Sequence, residues 1–358
     1  EIKSKEIIMR VIESAFLFVL GVSMKNMTSE WMQYYHTRYI EADTSKKVPA
    51  VSLLKKPRVS RVYQRFKTSP DGKYAVYTTN ELGQYKVWLY DFTKQKAKRI
   101  MKREQKLDRP VDYSYPLVNW HPTGERVSII TERKGELILT YYNLSTGKSD
   151  KLKIFNFEKV VDFSYSDDGK QFVMSAVQNG QSDIFIYTPG AGNAEAITKD
   201  IYDDLTPRFI ANSSKIIFAS NRPSDTIRFF PAYPVDLKAH QQPMEHKDLF
   251  IYNYKHKSPL LRKVTNTPAV SESYPFEFDS EHLCFLSDEN GIRNRYLGVL
   301  DSTIAYVDTA EHYRYYTRTY PITNYSRSIQ EQDINLKSKK ITEVIFTDKK
   351  FKLFMQDL

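Results

Sequence analysis

Two patterns of apolar residues divide the chain. Over residues 1–45, Ile7, Ile8, Val11, Ala15, Phe16, Val19 and Val22 recur at the three- and four-residue spacing of one helix face. Gly21 interrupts this run. Thr28-Ser29-Glu30-Trp31 then predicts the start of a second helix, with Thr28 as its N-cap and Trp31, Tyr34, Tyr35 and Tyr39 along it. From Val51 onward the apolar residues come in short strand-like runs instead. The strongest are Val87–Tyr90, Leu137–Tyr142, Ile184–Tyr187, Leu249–Tyr252, Tyr296–Leu300 and Phe351–Met355. Another run precedes each of them: Tyr74–Thr78, Val127–Ile130, Phe172–Ser175, Ile216–Ser220, Leu283–Ser287 and Val344–Thr347. Six units result, and the widest spacing between them holds an insertion, 223–247, rich in Pro, His and Gln.

A tight turn enters the first pair at Ser69-Pro70-Asp71-Gly72-Lys73. It returns as His121-Pro122-Thr123-Gly124-Glu125 and Ser166-Asp167-Asp168-Gly169-Lys170, and more faintly at Asn212–Lys215 and Asp279–His282. Gly suits such turns because it accepts positive φ, and Asp because its carboxylate bonds the local backbone. A unit of about 40–50 residues that cannot bury its own faces, repeated radially, is a β-propeller blade. A pair of β-sandwiches is the rival arrangement. Sandwich strands alternate polar and apolar residues, whereas Ile184-Phe185-Ile186-Tyr187 is apolar throughout and needs cover on both faces. The pattern therefore predicts an all-β fold, a six-bladed β-propeller over 51–358, with a short N-terminal α-helical segment over 1–48 read as the end of a preceding domain. The last unit lacks a clear outermost strand, and Val51–Leu54 is expected to supply it.

Composition agrees: 14% of residues are aromatic, including 26 Tyr, and only 12 are Gly, which suits half-buried strands. The formal net charge is +10, with Lys and Arg scattered and no nucleic-acid motif beside them. A Lys-rich surface without a nucleic-acid partner is the expectation. The single cysteine, Cys284, lies in an apolar run and reads as a buried hydrophobe. The uncharged stretch Ala15–Val22 is far shorter than the roughly 20 residues a membrane span needs, so no transmembrane segment is expected.

The form Ser69-Pro70-Asp71-Gly72-Lys73 with Val87–Asp91, repeated as Ser166–Lys170 with Asp183–Tyr187, and Phe218-Ala219-Ser220-Asn221-Arg222 resemble the WD-type propeller repeat of the TolB family. The resemblance covers about 51–358. The large TolB-like proteins of Bacteroidetes envelopes are similar too, and Gly21–Met24 with Glu30-Trp31, Tyr34-Tyr35 and Arg38-Tyr39 looks like the end of the helical region that precedes the propeller there. Thr123 replaces the turn Asp in blade two, and blades five and six lack the Asp-Gly turn. The resemblance implies a periplasmic or outer-membrane-associated protein, with envelope proteins or the remainder of its own polypeptide as partners and possible peripheral association with the outer membrane.

A search for chemistry finds neither a Gly-x-Ser-x-Gly elbow nor His-Glu-x-x-His, and the histidines are scattered. His240, Glu245 and His246 share the insertion and read as a solvated loop. Asp167-Asp168, Asp203-Asp204 and Asp288-Glu289 are adjacent acids that point apart, so they read as turn formers rather than a paired acid and base. No catalytic residue, cofactor or metal ligand is assigned. The candidate partner-binding residues are Asn80, Arg133, Asn179, Asn221, Arg222, Asp288 and Arg293 on the polar turns. Tyr313, Arg314, Tyr315 and Tyr316 join them from a stretch that reads either as an outer blade strand or as an interaction surface. The expected function is a non-enzymatic scaffold for protein–protein interaction in the bacterial cell envelope. The alternative is a substrate-gating propeller serving a larger peptidase or hydrolase.

Overall fold

In the computed structural model, residues 2–44, 46–47, 49, 51–104, 111–227, 241–309 and 311–358 are described. Contacts divide the chain into two compact units, 1–48 and 49–358. The first contains α1 (Ile2–Leu20) and α2 (Met24–Thr44). The second helix starts earlier than Thr28: Ser23 Oγ accepts the Asn26 N–H at 3.2 Å, so Ser23 is the cap. Thr28 lies one turn inside, where its hydroxyl donates to the Met24 carbonyl at 2.7 Å. Among the described residues no single helix is long and apolar enough to cross a membrane; Val11–Leu20 and Met24–Ile40 pass that test only as a pair bent by 70°.

The second unit is a six-bladed propeller, and every blade is an antiparallel meander. Blade one is β1 (Val62–Thr68), β2 (Tyr74–Glu81), β3 (Gln84–Asp91) and β4 (Lys96–Glu104). Blade two is β5 (Leu117–Trp120), β6 (Arg126–Arg133), β7 (Glu136–Asn143) and β8 (Ser149–Ile154). Blade three is β9 (Lys159–Tyr165), β10 (Phe172–Gln178), β11 (Gln181–Thr188) and β12 (Asn193–Ala196). Blade four is β13 (Asp204–Ile210), β14 (Lys215–Ser220), β15 (Asp248–Tyr252) and β16 (Arg262–Lys263). Blade five is β17 (Glu272–Glu277), β18 (His282–Ser287), β19 (Asn294–Val307) and β20 (Glu311–Pro321). Blade six has three strands of its own, β21 (Ile329–Asn335), β22 (Lys340–Thr347) and β23 (Lys350–Asp357).

The apolar runs of the sequence are the second and third strands of each blade, and their side chains fill seams between neighbouring blades. Val76, Val87 and Leu89 meet Trp120, Val127 and Ile129 between blades one and two. Ile184 and Ile186 meet Ile216, Phe218 and Phe250 between blades three and four. Ala75 and Tyr77 meet Val344 and Leu353 where blade one meets blade six. Burying such side chains from water at about 25 cal/mol per Å² is what makes a blade stable only beside its neighbours.

The repeated turns join first strands to second. Gly72 and Gly169 both have φ of 71°. Ser69 Oγ and the Lys73 N–H donate to Asp71 Oδ1 at 2.6 and 3.1 Å, and Ser166 and Lys170 do the same to Asp168 at 2.6 and 3.0 Å. In blade two His121 takes the serine's place; its ring packs edge-on to Tyr165 and lies so close to Gly169 that a Cβ there would meet Nε2 at 2.3 Å. Cys284 is buried in the seam between blades five and six.

Closure uses the segment ahead of blade one. Ser52 bridges Phe354 on β23, the Leu53 N–H donates to the Leu353 carbonyl at 2.8 Å, and Ser52 Oγ donates to the same carbonyl at 3.2 Å. Replacing Leu53 with Pro removes that N–H. We expect Leu53→Pro to lower stability by about 1–2 kcal/mol, read as a fall in the thermal midpoint of the propeller. An unchanged midpoint would mean that the segment does not hold the ring.

Candidate functional site at the channel mouth

The first strands touch one another in a ring, β1 to β5, β9, β13, β17, β21 and back to β1, around the central channel. Four of them, β1, β9, β13 and β21, carry charged residues within the strand: Arg65 and Lys67, Asp162, Arg208, and Glu331 and Asp333. In blades one, four and five their register slips at one equivalent place: pairing jumps from Gln64 to Lys67, from Leu205 to Arg208 and from Ser273 to Phe276. Among the skipped residues, Arg65, Thr206 and Tyr274 have φ of 54°, 50° and 49°. Left-handed backbone costs a residue with a Cβ on the order of 1–3 kcal/mol, and it persists where surrounding structure holds it. Such bulges re-aim side chains and are common beside functional sites.

Just past the bulge, four blades meet through charge. Lys67 pairs with Asp333 at 3.6 Å, and Arg208 pairs with Asp162 at 2.7 Å. The Arg208 guanidinium also lies over the Phe276 ring of blade five, 5.1 Å from its centroid. Burial lowers the Lys67 pKa, which Asp333 only partly opposes, and burial raises that of Asp333 against the pull of Lys67. Asp162 feels the same burial, but Arg208, Lys67 and Arg65 together hold its carboxyl below the usual range. Two ion pairs between neighbouring blades thus gather at the waist of the channel.

Above it lies a cavity of about 500 Å³ lined by Gln64, Arg65, Tyr113, Tyr274, Gln330 and Glu331, among others. Arg65 pairs with Glu331 at 3.0 Å, and its own N–H donates to the same carboxylate at 2.5 Å. Burial pushes the Tyr274 hydroxyl up to about 12, reinforced by Glu331. Nε of Arg65 and Nε of Arg208 are buried without a hydrogen-bond partner. The mouth therefore has a polar, charge-balanced lining.

A second charged group sits between blades three and four. Arg222, expected as a surface anchor, is 0% exposed. Its guanidinium donates to Asp200 at 3.1 Å and to both oxygens of Asp204 at 2.9 and 2.7 Å, and its Nε donates to Ser220 Oγ at 2.9 Å. That is a correction: a buried cation facing two buried carboxylates is structural. Asp183 completes the group, with one ligand oxygen from each of the three acids within 4.8 Å of the others. The guanidinium is bonded to two of the three, Asp200 and Asp204. Burial and the Asp204 charge raise Asp183 to about 7 and Asp200 to about 6. The arrangement recurs with substitutions. Thr198, Thr265 and Thr323 accept the N–H groups of Ile184, Leu249 and Arg295 at 2.9, 2.9 and 2.8 Å. Glu272, which pairs with Ser287 as Asp204 pairs with Ser220, has no arginine opposite, and burial with the Asp248 charge raises it to about 8.

Of the other candidates, Asn80 and Asn221 are buried and hold turns, accepting the Gly83 and Asp203 N–H groups at 3.1 and 2.8 Å. Asp288 accepts the Ser271 N–H at 2.8 Å, and the half-buried Arg293 donates its N–H to Ser328 at 3.1 Å. Arg133 and Asn179 are exposed at the turns between second and third strands. Tyr313, Arg314, Tyr315 and Tyr316 lie on β20, the outer strand of blade five, and all four are exposed. The Arg262 guanidinium lies 4.6 Å from the Tyr315 ring centroid, and Tyr316 donates to Asp301 at 2.9 Å. His240 lies outside the described residues. The channel charges Arg65, Lys67, Asp162, Arg208, Glu331 and Asp333 were not among the expected site residues. Their signal was available: a charged residue at the centre of a first strand whose partner strands are apolar.

No family model and no curated protein matches the chain. Solved structures do. An oligogalacturonate lyase in complex with manganese is 12% identical, covers 86% of this chain and 92% of its own, and has a TM-score of 0.53. A putative TolB from Agrobacterium tumefaciens is 13% identical over 76% of this chain and 84% of its own, at 0.52. The propeller domain of the Trilobed protease from Pyrococcus furiosus, described as having an open velcro topology, is 12% identical over 83% and 95%, at 0.50. The fold is a TolB-like six-bladed propeller. At these identities the likeness is one of fold, shared by a putative TolB, a protease domain and a lyase.

Two predictions follow from the charged group between blades and its substituted repeat. Asp183 and Glu272 bind their protons more tightly folded than at their ordinary values of 3.8 and 4.5, so they stabilise most at low pH and lose that contribution as pH rises through about 7 and about 8. The thermal midpoint should therefore fall between about pH 5 and pH 8, and Glu272→Gln should flatten the fall; an unaltered slope would contradict the assignment. Arg222→Met, which strands the carboxylates, should cost about 3–5 kcal/mol in denaturant titration, far more than a surface arginine.

Proposed function

We propose that this propeller is a non-catalytic docking module of the bacterial cell envelope, periplasmic or associated with the outer membrane, and that a partner protein engages the channel mouth. The observation that carries the reading is the set of left-handed residues Arg65, Thr206 and Tyr274 at one equivalent bulge in three blades, two of them lining the mouth cavity. Proteins retain strained backbone of this kind where side-chain aim matters. Exposed Tyr113 and Gln330 at the same mouth supply an aromatic anchor and an amide, the residue types that dominate interface energetics and register. The envelope setting rests on the likeness of the repeats and of the fold to TolB.

The alternative, a propeller that gates substrate into a peptidase, draws on the shared fold of the Pyrococcus furiosus protease domain. The Lys67–Asp333 and Arg208–Asp162 pairs, which place four charges at the waist, favour docking over passage. Tyr113→Ala with Gln330→Ala is the test, because both residues are exposed and the fold does not depend on them. In a pull-down from envelope extract, the wild-type chain should retain a partner that the double variant loses, with affinity down at least about tenfold. Equal retention by both would move the interface away from the mouth. No retained protein at all would contradict docking.

A further inference from the structure

A cleft on the outer side of blade one, between that blade and the closure segment, carries chemistry that neither the ring nor the channel uses. It is a cavity of about 480 Å³, floored by Tyr77, Trp88 and Tyr90 and walled by Lys55, Lys56 and Arg61, among others. The Trp88 indole is fixed by its Nε1–H, which donates to Thr79 Oγ1 at 3.0 Å, and its ring stacks on Tyr77 at 6.4 Å between centroids.

The cleft and the β3–β4 ladder beside it carry more positive charge than nearby acids neutralise. Arg61 is paired with Glu81 at 2.9 Å and Lys102 with Glu104 at 3.0 Å. Among the described residues, Lys55, Lys56, Lys86 and Arg99 have no carboxylate within ion-pair distance. Lys86 stands directly opposite Lys102 in the ladder, and Arg99 directly opposite Trp88. Like charges placed this way destabilise a sheet. Burial lowers the Lys86 pKa, and Arg61, Lys102 and Arg99 lower it further. A site that concentrates uncompensated cations over an aromatic floor is built for an anion with an apolar face.

We infer that this cleft binds an acidic oligosaccharide, a short chain of carboxylated sugars. The cations receive carboxylates as charge-assisted partners, the rings take the C–H faces of the sugar, and the tyrosine hydroxyls with Thr79 and Gln95 match its hydroxyl groups. Single-stranded nucleic acid also suits cations and rings, but it follows a groove several nucleotides long. This cavity is local, bounded by the closure segment on one side. Because Leu53 and Leu54 also line it, a ligand spanning the cleft ties the closure segment to blade one. Binding there is coupled to ring closure.

The test titrates the full chain calorimetrically with trigalacturonate, with maltotriose as a neutral molecule of similar size and with a short oligothymidylate, and follows amide exchange at Leu53. Trigalacturonate should bind and slow exchange at Leu53, maltotriose should bind at least about tenfold more weakly, and Lys55→Ala with Lys56→Ala should lower trigalacturonate affinity about tenfold. Both lysines are exposed, so the variant keeps its fold. Equal binding of the neutral sugar, unchanged affinity in the double variant, or binding of oligothymidylate alone would each overturn the inference. So would the absence of both heat and protection at about 5 mM trigalacturonate.

Discussion

A ring made from a linear chain must close, and the seam between blades one and six is the constraint on which everything else depends. The other five seams join blades adjacent in sequence. This one joins residues more than two hundred positions apart, through apolar packing, ion pairs and hydrogen bonds. Apolar packing of Tyr63, Phe66, Ala75 and Tyr77 against Val344 and Leu353 supplies its interior. Arg65–Glu331 and Lys67–Asp333 cross it beside the channel, and Thr342 Oγ1 donates to the Phe66 carbonyl at 2.6 Å. Asn335 Nδ2 donates to the Thr68 carbonyl at 3.0 Å near the turns. The closure segment adds Ser52 and Leu53 at the outer edge.

The same ion pairs define the candidate site. Four charges gather at the waist of the channel, and the cavity lies at its mouth. Buried pairs of this kind contribute little net stability relative to apolar packing, yet removing one partner is costly. Their value here is positional: they anchor the bulged strands β1 and β13, on which Arg65 and Thr206 keep left-handed backbone.

The blade architecture was readable because its cause is local. Apolar runs such as Ile184–Tyr187 need cover on both faces, and Ser69–Lys73 closes on itself through Asp71. The site was harder to read, because its geometry depends on residues brought together across the ring. Arg222 follows a strand and looks like a loop residue; only folding shows Asp200 and Asp204 around it. Lys67 and Asp333 are unremarkable charges until closure makes them neighbours. Thr28 misled for a nearer reason, since Ser23 is also a good cap and lies beside Gly21, where the first helix ends. The Tyr/Arg stretch is an outer strand in its backbone and an exposed surface in its side chains, so its two readings describe different parts of the same residues.

The central claim is that charges from separate blades hold the ring and its channel as one unit. A double-mutant cycle on Lys67→Met and Asp333→Asn, read by denaturant unfolding, tests it most directly. A coupling of about 1–3 kcal/mol is predicted, with each single variant costing more than the pair together would suggest. Additive losses, within about 0.5 kcal/mol, would show that the two residues do not interact across the seam between blades one and six and would contradict the account.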